Sequence, residues 1–212
     1  MRRFLCVLGF LSLVLTYPGA VKADTMGGFS LGSCGSGSGC PAATYQFNIN
    51  STSATLTITV TGATTSQNNF IGSVDLGFAP SGTVSGLDLT AAPSALSNWT
   101  DTTGSLSSNS NGCGSNGGAF VCATALPGNP LPISQNGVYT WTWTFNAIDP
   151  TMIASNGTVH VGVQYGPNSP NNPWNGLIVS QSVTVPEPAS ATLLGAGLLA
   201  LCAGARRRFK NS

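Results

Sequence analysis

Basic side chains are missing from most of this chain. All seven Lys and Arg residues lie near the two ends, within residues 2–22 and 206–210. The stretch 24–185 has no basic residue and no glutamate, and its five aspartates give it a formal charge of −5 although the whole chain carries +1. Those aspartates are Asp24, Asp75, Asp88, Asp101 and Asp149. A surface without Lys or Arg cannot neutralise phosphates, so we expect no binding to nucleic acid.

Residues suited to catalysis are also scarce. His160 is the only histidine, and no glutamate precedes Glu187, so a glycosidase pair would need two aspartates. No Gly-x-Ser-x-Gly elbow is present. His160 stands between Val159 and Val161 and is expected on the opposite strand face, as a surface or edge histidine. Abundant serine leaves a Ser-His-Asp arrangement open, and Asp with nearby Asn leaves a calcium site open. We predict that the protein is not an enzyme and has no catalytic residue, metal or other cofactor.

Six cysteines divide into two terminal ones and four within residues 24–185. The four are Cys34, Cys40, Cys113 and Cys122. They allow three pairings, and their spacing favours two local, glycine-rich loops, Cys34–Cys40 and Cys113–Cys122. A zinc site is disfavoured because no suitably spaced histidine accompanies them. Such disulfides would form in an oxidising compartment, in agreement with the N-terminus described next.

The N-terminus has the pattern of a secretory signal peptide. Arg2 and Arg3 precede an apolar run over residues 4–15, and Val21 and Ala23 place small side chains before Asp24. This order predicts export with cleavage after Ala23. The apolar run is too short to favour a retained transmembrane helix.

The C-terminus combines a proline motif, an apolar stretch and a basic cluster. Pro186-Glu187-Pro188 precedes residues 189–205, which carry no charge, and the basic tail 206–212 contains Arg206, Arg207, Arg208 and Lys210. The apolar stretch is near the lower length limit for a transmembrane helix. The basic cluster is expected to stay in the cytoplasm, which leaves the bulk of the chain outside.

This tail resembles the PEP-CTERM sorting signal, and the resemblance covers the segment 186–212. It implies recognition at Pro186, Glu187 and Pro188 by an exosortase, a membrane transpeptidase-like enzyme of Gram-negative bacteria that make exopolysaccharide. It also implies removal of the span after a transient stay in the inner membrane, and delivery to the cell surface or extracellular matrix. A plain single-pass anchor is the alternative interpretation of the same residues. The resemblance carries no information on what residues 24–185 do.

The segment 24–185 is long enough for one domain, and its patterns predict strands without helices. The leader 24–42 and the stretch 101–118 are interpreted as Gly- and Ser-rich loops. Strands are predicted at residues 43–48, 54–61, 70–79, 83–90, 119–125, 131–135, 138–145, 158–165 and 177–185. Pro80-Ser81-Gly82 predicts a hairpin between 70–79 and 83–90, and Asn136-Gly137 predicts a type I′ turn before the strand 138–145. The fold class is therefore an all-β antiparallel sandwich, jelly-roll-like, with a signal peptide before it and a transmembrane helix after it.

Aromatic residues offer the main choice between a core and a binding surface. Tyr139, Trp141, Trp143 and Phe145 alternate with threonines and share one strand face, which we assign to the core. Trp99 and Trp174 stand in loop-like surroundings and are better candidates for exposed contacts. The leading function is a non-enzymatic secreted or surface protein associated with exopolysaccharide or biofilm matrix. A carbohydrate-binding module and a secreted hydrolase remain the alternatives.

Overall fold

The computed structural model describes the central part of the chain in eight stretches. These are residues 25–31, 40–64, 69–79, 84–106, 112–114, 119–147, 158–166 and 177–184. The predicted signal peptide 1–23, Cys34, Trp174, the proline motif, the predicted span 189–205 and the basic tail lie outside the described residues. Within the described stretches, no helix has the length and apolar character needed to cross a membrane.

Eleven strands and one short 3-10 turn make up the described structure. The strands are β1 (Thr25–Leu31), β2 (Ala43–Ile49), β3 (Ser53–Val60), β4 (Phe70–Ala79), β5 (Asp88–Ala91), β6 (Trp99–Thr102), β7 (Ala119–Ala125), β8 (Leu131–Pro132), β9 (Val138–Thr144), β10 (Thr158–Gly166) and β11 (Leu177–Thr184). The 3-10 turn, Leu96–Asn98, leads into β6. The all-β prediction is confirmed for this part of the chain.

The strands form two antiparallel sheets. Sheet A has the order β1-β2-β3-β9-β5, and sheet B has the order β11-β10-β4-β7-β6 with β8 paired to β4. One hydrophobic core contains side chains from both sheets, so the sheets pack as the predicted sandwich. Tyr45 of β2 and Tyr165 of β10 join the two sheets through a buried hydrogen bond of 2.9 Å between their hydroxyls.

Alternation of apolar and hydroxyl side chains explains why the central strands of sheet A form where they do. In β3, Ala54, Leu56, Ile58 and Val60 are all fully buried, and the threonines between them point to the other face. The neighbouring β9 buries Trp141 and Trp143 completely, next to Phe145 at 6 % exposure. The prediction that this aromatic row belongs to the core is confirmed, with Tyr139 only partly buried at its end.

The interpretation of the leader 24–42 as a loop is wrong over its first part. Thr25–Leu31 forms β1, which pairs with β2 along seven residue pairs at the edge of sheet A. The two adjacent glycines concealed this strand in the sequence, since glycine is unfavourable in strand interiors. At Gly28 a Cβ atom would lie 2.4 Å from the backbone oxygen of Tyr45, so the absence of a side chain is what permits this close pairing.

The predicted hairpin between residues 70–79 and 83–90 is wrong. β4 lies between β10 and β7, so both of its long edges are occupied within sheet B. The following strand, β5, instead crosses to sheet A and pairs with β9. A turn-forming sequence between two strands does not specify that those strands pair with each other, because a sandwich also needs connections between its sheets.

The turn at Asn136 is present, but it is not the predicted type I′ turn. The N–H of Gly137 donates to the carbonyl of Ser134 at 3.0 Å, and Asn136 has a positive φ of 64°. Gly137 has no positive φ, so the type I′ assignment is wrong. A Cβ there would lie 2.3 Å from the Tyr139 hydroxyl, so the glycine makes room for that ring. The turn carries the chain from β8 in sheet B to β9 in sheet A.

Replacing Trp143 by alanine should lower the free energy of unfolding by about 3–5 kcal/mol, because a fully buried indole would leave a cavity. Urea unfolding followed by circular dichroism measures this loss. Val138→Ala is the control, because Val138 lies on the same strand at 62 % exposure and should change the stability by less than about 0.5 kcal/mol. A Trp143→Ala protein of unchanged stability that has lost polysaccharide binding would contradict the structural role.

Candidate functional sites

The outer face of sheet B is covered by chain from the segment that connects β6 to β7. On this face the buried polar side chains are Ser73, Asp75, Thr124 and Gln164. The strand registers place them next to one another, since Ser73 lies opposite both Thr124 and Gln164. Buried polar groups on the face that points away from the core require a covering layer, to which Leu106, Gly112 and Cys113 contribute.

A disulfide and two backbone hydrogen bonds fasten this covering layer. The predicted Cys113–Cys122 disulfide is present, with a Cα–Cα distance of 5.9 Å. The N–H of Cys113 donates to Thr124 Oγ1 at 2.9 Å, and the N–H of Leu106 donates to Asp75 Oδ2 at 2.7 Å. The interpretation of residues 101–118 as a loop needs correction at its start, because Asp101 and Thr102 belong to β6. Farther along, Leu106 and Cys113 lie on buried groups of sheet B.

Only one cysteine of the other predicted disulfide, Cys40, lies within the described residues. Cys40 is buried and disulfide-bonded. Its predicted partner, Cys34, lies outside the described residues, so the Cys34–Cys40 pairing stays a prediction.

Asp75 and His160 form the one close pair of opposite ionisable side chains among the described residues. Asp75 Oδ1 lies 3.9 Å from His160 Nε2, and the exposed fractions of the side chains are 0 % and 31 %. His160 does lie on the face opposite to Val159 and Val161, as predicted, and its ring meets the edge of Phe120 at 5.6 Å between centroids. It is not an edge histidine, because β10 runs between β11 and β4.

Burial sets the proton affinity of Asp75. Removal of Asp75 from water raises the pKa of its carboxyl group from 3.8 to about 6, against the opposing effects of the Leu106 N–H and the His160 charge. A carboxyl group with this pKa exchanges its proton close to neutral pH. Sequence analysis missed the pair, although a single aspartate between Val74 and Leu76 in an apolar strand is the type of signal that indicates a buried carboxylate.

The described aspartates do not assemble a pair of catalytic carboxylates. Asp75 lies opposite Cys122, whereas Asp101 lies opposite Ala123 and so points to the other side of sheet B. Asp88 belongs to β5 in the other sheet. Over the described stretches, no three His, Cys, Asp or Glu side chains are close enough together to hold a metal ion.

Trp99 is not the exposed aromatic that its sequence surroundings indicated. It begins β6, is only 6 % exposed, and packs edge-on against Trp141 with 5.5 Å between ring centroids. Its indole N–H donates to Ser94 Oγ at 2.8 Å. The loop-like composition around it arises from the short 3-10 turn that leads into the strand.

The tail begins where the last strand ends. β11 ends at Thr184, two positions before Pro186, so the strand continues almost directly into the proline motif. Residues 184–208 match the PEP-CTERM protein-sorting motif. This match includes Pro186, Glu187, Pro188 and the arginines at 206, 207 and 208. It implies an exported protein that passes through the membrane and is processed by an exosortase. No curated protein matches the chain.

Replacing Asp75 by asparagine should flatten the dependence of stability on pH. The raised pKa means that the folded state binds a proton more tightly than the unfolded state, so the stabilisation is complete below pH 3.8 and is lost as the pH rises through about 6. The native protein should therefore lose up to about 3 kcal/mol between pH 4 and pH 7 from this group. Asparagine keeps an oxygen for the Leu106 N–H but has no proton to exchange.

Urea unfolding at several pH values measures this slope. Asp88→Asn makes the same chemical change at an exposed carboxyl group and should leave the slope in place. Equal slopes for the native protein and Asp75→Asn would show that Asp75 does not titrate in this range.

Proposed function

We propose that this chain is a non-enzymatic protein that an exosortase releases to the cell surface or extracellular matrix. The observation that carries the proposal is the sorting motif at residues 184–208. The proline motif would be held at the outer face of the inner membrane while the apolar span 189–205 pauses in the bilayer. The Arg cluster would prevent so short a span from passing through.

The non-enzymatic role is supported by the way the described ionisable groups are used. Asp75 is fully buried and accepts a hydrogen bond from the covering layer, so it has a structural function already. The described aspartates point in different directions, and among the described residues Asp75 is the one carboxylate beside His160. A hydrolase would need a substrate cleft with a second functional group beside this pair.

Association with exopolysaccharide is the second element of the proposal, and it depends on the outer face of sheet A, which is rich in hydroxyl groups and whose one described charged residue is Asp88. There Thr57 and Thr140 face each other with 3.1 Å between their hydroxyl oxygens, and Thr55 and Thr142 with 3.4 Å. This surface offers hydroxyl and amide groups to a neutral polymer and no cation to an acidic one. The alternative of a carbohydrate-binding module is weakened by the burial of Trp99, Trp141 and Trp143.

Processing of the tail is tested by intact mass spectrometry of the surface-located protein. We expect the mass of a chain that begins at Asp24 and has lost the span and the basic cluster, and retention of residues 189–212 in a strain without the exosortase. Replacing Pro186, Glu187 and Pro188 by alanine should also prevent removal. Ser190→Ala, a substitution of similar size in the span, is the control. Attachment of residues 189–212 in the exosortase-positive strain would support a plain membrane anchor.

Polysaccharide association is tested by co-sedimentation of the exported protein with purified exopolysaccharide from the same strain. Because residues 24–185 have no Lys or Arg, binding should depend little on salt between about 0.05 and 0.5 M, where electrostatic binding would weaken strongly. Dextran sulfate should not co-sediment the protein. A steep salt dependence, or stronger binding to dextran sulfate, would refute an association through uncharged groups.

A further inference from the structure

The four edge strands of the two sheets differ in how well they are protected against pairing with another chain. β5 and β6, at one end of each sheet, have four residues each and contain one aspartate each. β1 and β11, at the other ends, have seven and eight residues and no charge or proline. Short length and charge are the usual means of blocking an edge, so protection is concentrated on one side of the sandwich.

β11 is the longer of the two long edge strands and, unlike β1, it contains no glycine. It pairs with β10 over eight consecutive residue pairs without a register shift, and so it has no bulge that would bend its free edge away. Ser180, Gln181, Ser182 and Thr184 are exposed. No described strand pairs with the outer edge of β11, so among the described residues this edge presents backbone N–H and C=O groups in the regular spacing that another strand requires. β1 contains two adjacent glycines and is less fixed in conformation.

We propose that β11 pairs with β11 of a second copy of this chain, antiparallel, about a two-fold axis at Gln181. Directly opposite residues in an antiparallel pair share a face of the sheet, so a two-fold axis has to pass through a residue pair. With the axis at Gln181, Val179 lies opposite Val183 of the second copy, Ser180 lies opposite Ser182, and Gln181 lies opposite itself. Sheet B then continues from one molecule into the next.

The side chains along β11 favour a second copy over an unrelated partner. Val179, Gln181 and Val183 are on the core side of the sheet, opposite Val163, Val161 and Val159 of β10, so a valine pair would flank the central glutamine pair on each side. In this register each valine lies opposite a valine, each serine lies opposite a serine, and Gln181 lies opposite Gln181 of the second copy. An axis moved to Ser180 or Ser182 would place Gln181 against a valine instead. Because the strand has no charge, it needs no complementary charge on its partner.

The test compares two glutamine-to-lysine substitutions in the exported protein isolated from cells. Sedimentation equilibrium over a range of concentrations should show a reversible dimer for the native protein. Gln181→Lys sets two like charges directly opposite each other and should weaken self-association on the order of tenfold. Gln46→Lys is the control, since Gln46 is exposed on the inner strand β2 of sheet A and should leave dimerisation unchanged.

A cysteine at the two-fold axis tests the register. Gln181→Cys should form an intermolecular disulfide under mild oxidation because directly opposite Cβ atoms lie about 4.5–5.5 Å apart, whereas Gln46→Cys should not. Unchanged thermal unfolding of Gln181→Lys would confirm that the variant is folded. A native protein that stays monomeric at every concentration would overturn the proposal, as would a dimer that Gln181→Lys leaves intact or that Gln46→Lys weakens equally.

Discussion

Trp141 and Trp143 determine how the two sheets fit together. Both indoles come from β9 and are fully buried between the sheets, where Trp141 packs against Trp99 of the opposite sheet. Side chains alternate along a strand, so the arrangement that buries the rings also turns Thr140, Thr142 and Thr144 outward. A register slip of one residue between β9 and β3 would move indoles into water and hydroxyls into the core. Burial of Trp141 and Trp143 thus determines the register of β9 in sheet A and which face of the sheet lies against sheet B.

Scarcity of charge shapes sheet B in a different way. A buried carboxylate is commonly neutralised by Arg or Lys, but residues 24–185 contain neither. Asp75 instead accepts a hydrogen bond from the Leu106 N–H and lies beside the partly exposed imidazole of His160. These partners do not offset its burial, which raises its pKa to about 6. The disulfide at Cys122 lies directly opposite Asp75 across the β4–β7 pair, so the covalent attachment of the covering layer and its electrostatic attachment are at the same level of the sheet.

Local alternation in the sequence predicted most of the strands, though not β1 or β6, and it did not predict which strands pair. The bounds of β3, β7 and β9 were predicted to within one residue. Hydroxyl and apolar side chains alternate along β3 and β9, and a glycine-rich stretch precedes β7. β4 is buried along residues 71–78 on both faces, so its sequence contains no information on which neighbours it has. The pairing of β5 with β9 and the meeting of Asp75 with His160 are long-range contacts. A single sequence does not encode such contacts in any short pattern. The tail was recognised because its three elements follow one another along the chain.

The connection between β11 and the tail decides how the domain responds to a pull from the membrane. Thr184 pairs with Thr158, at the start of β10, and the remaining pairs extend back to Leu177. Tension applied along the direction of β11 loads the hydrogen bonds of all eight residue pairs at once, so β11 resists separation from β10. Tension applied perpendicular to β11 breaks the residue pairs one after another, beginning with Thr184 and Thr158. In the proposed membrane intermediate, the angle at which the chain leaves the bilayer would therefore decide whether β11 stays paired with β10 or separates from it.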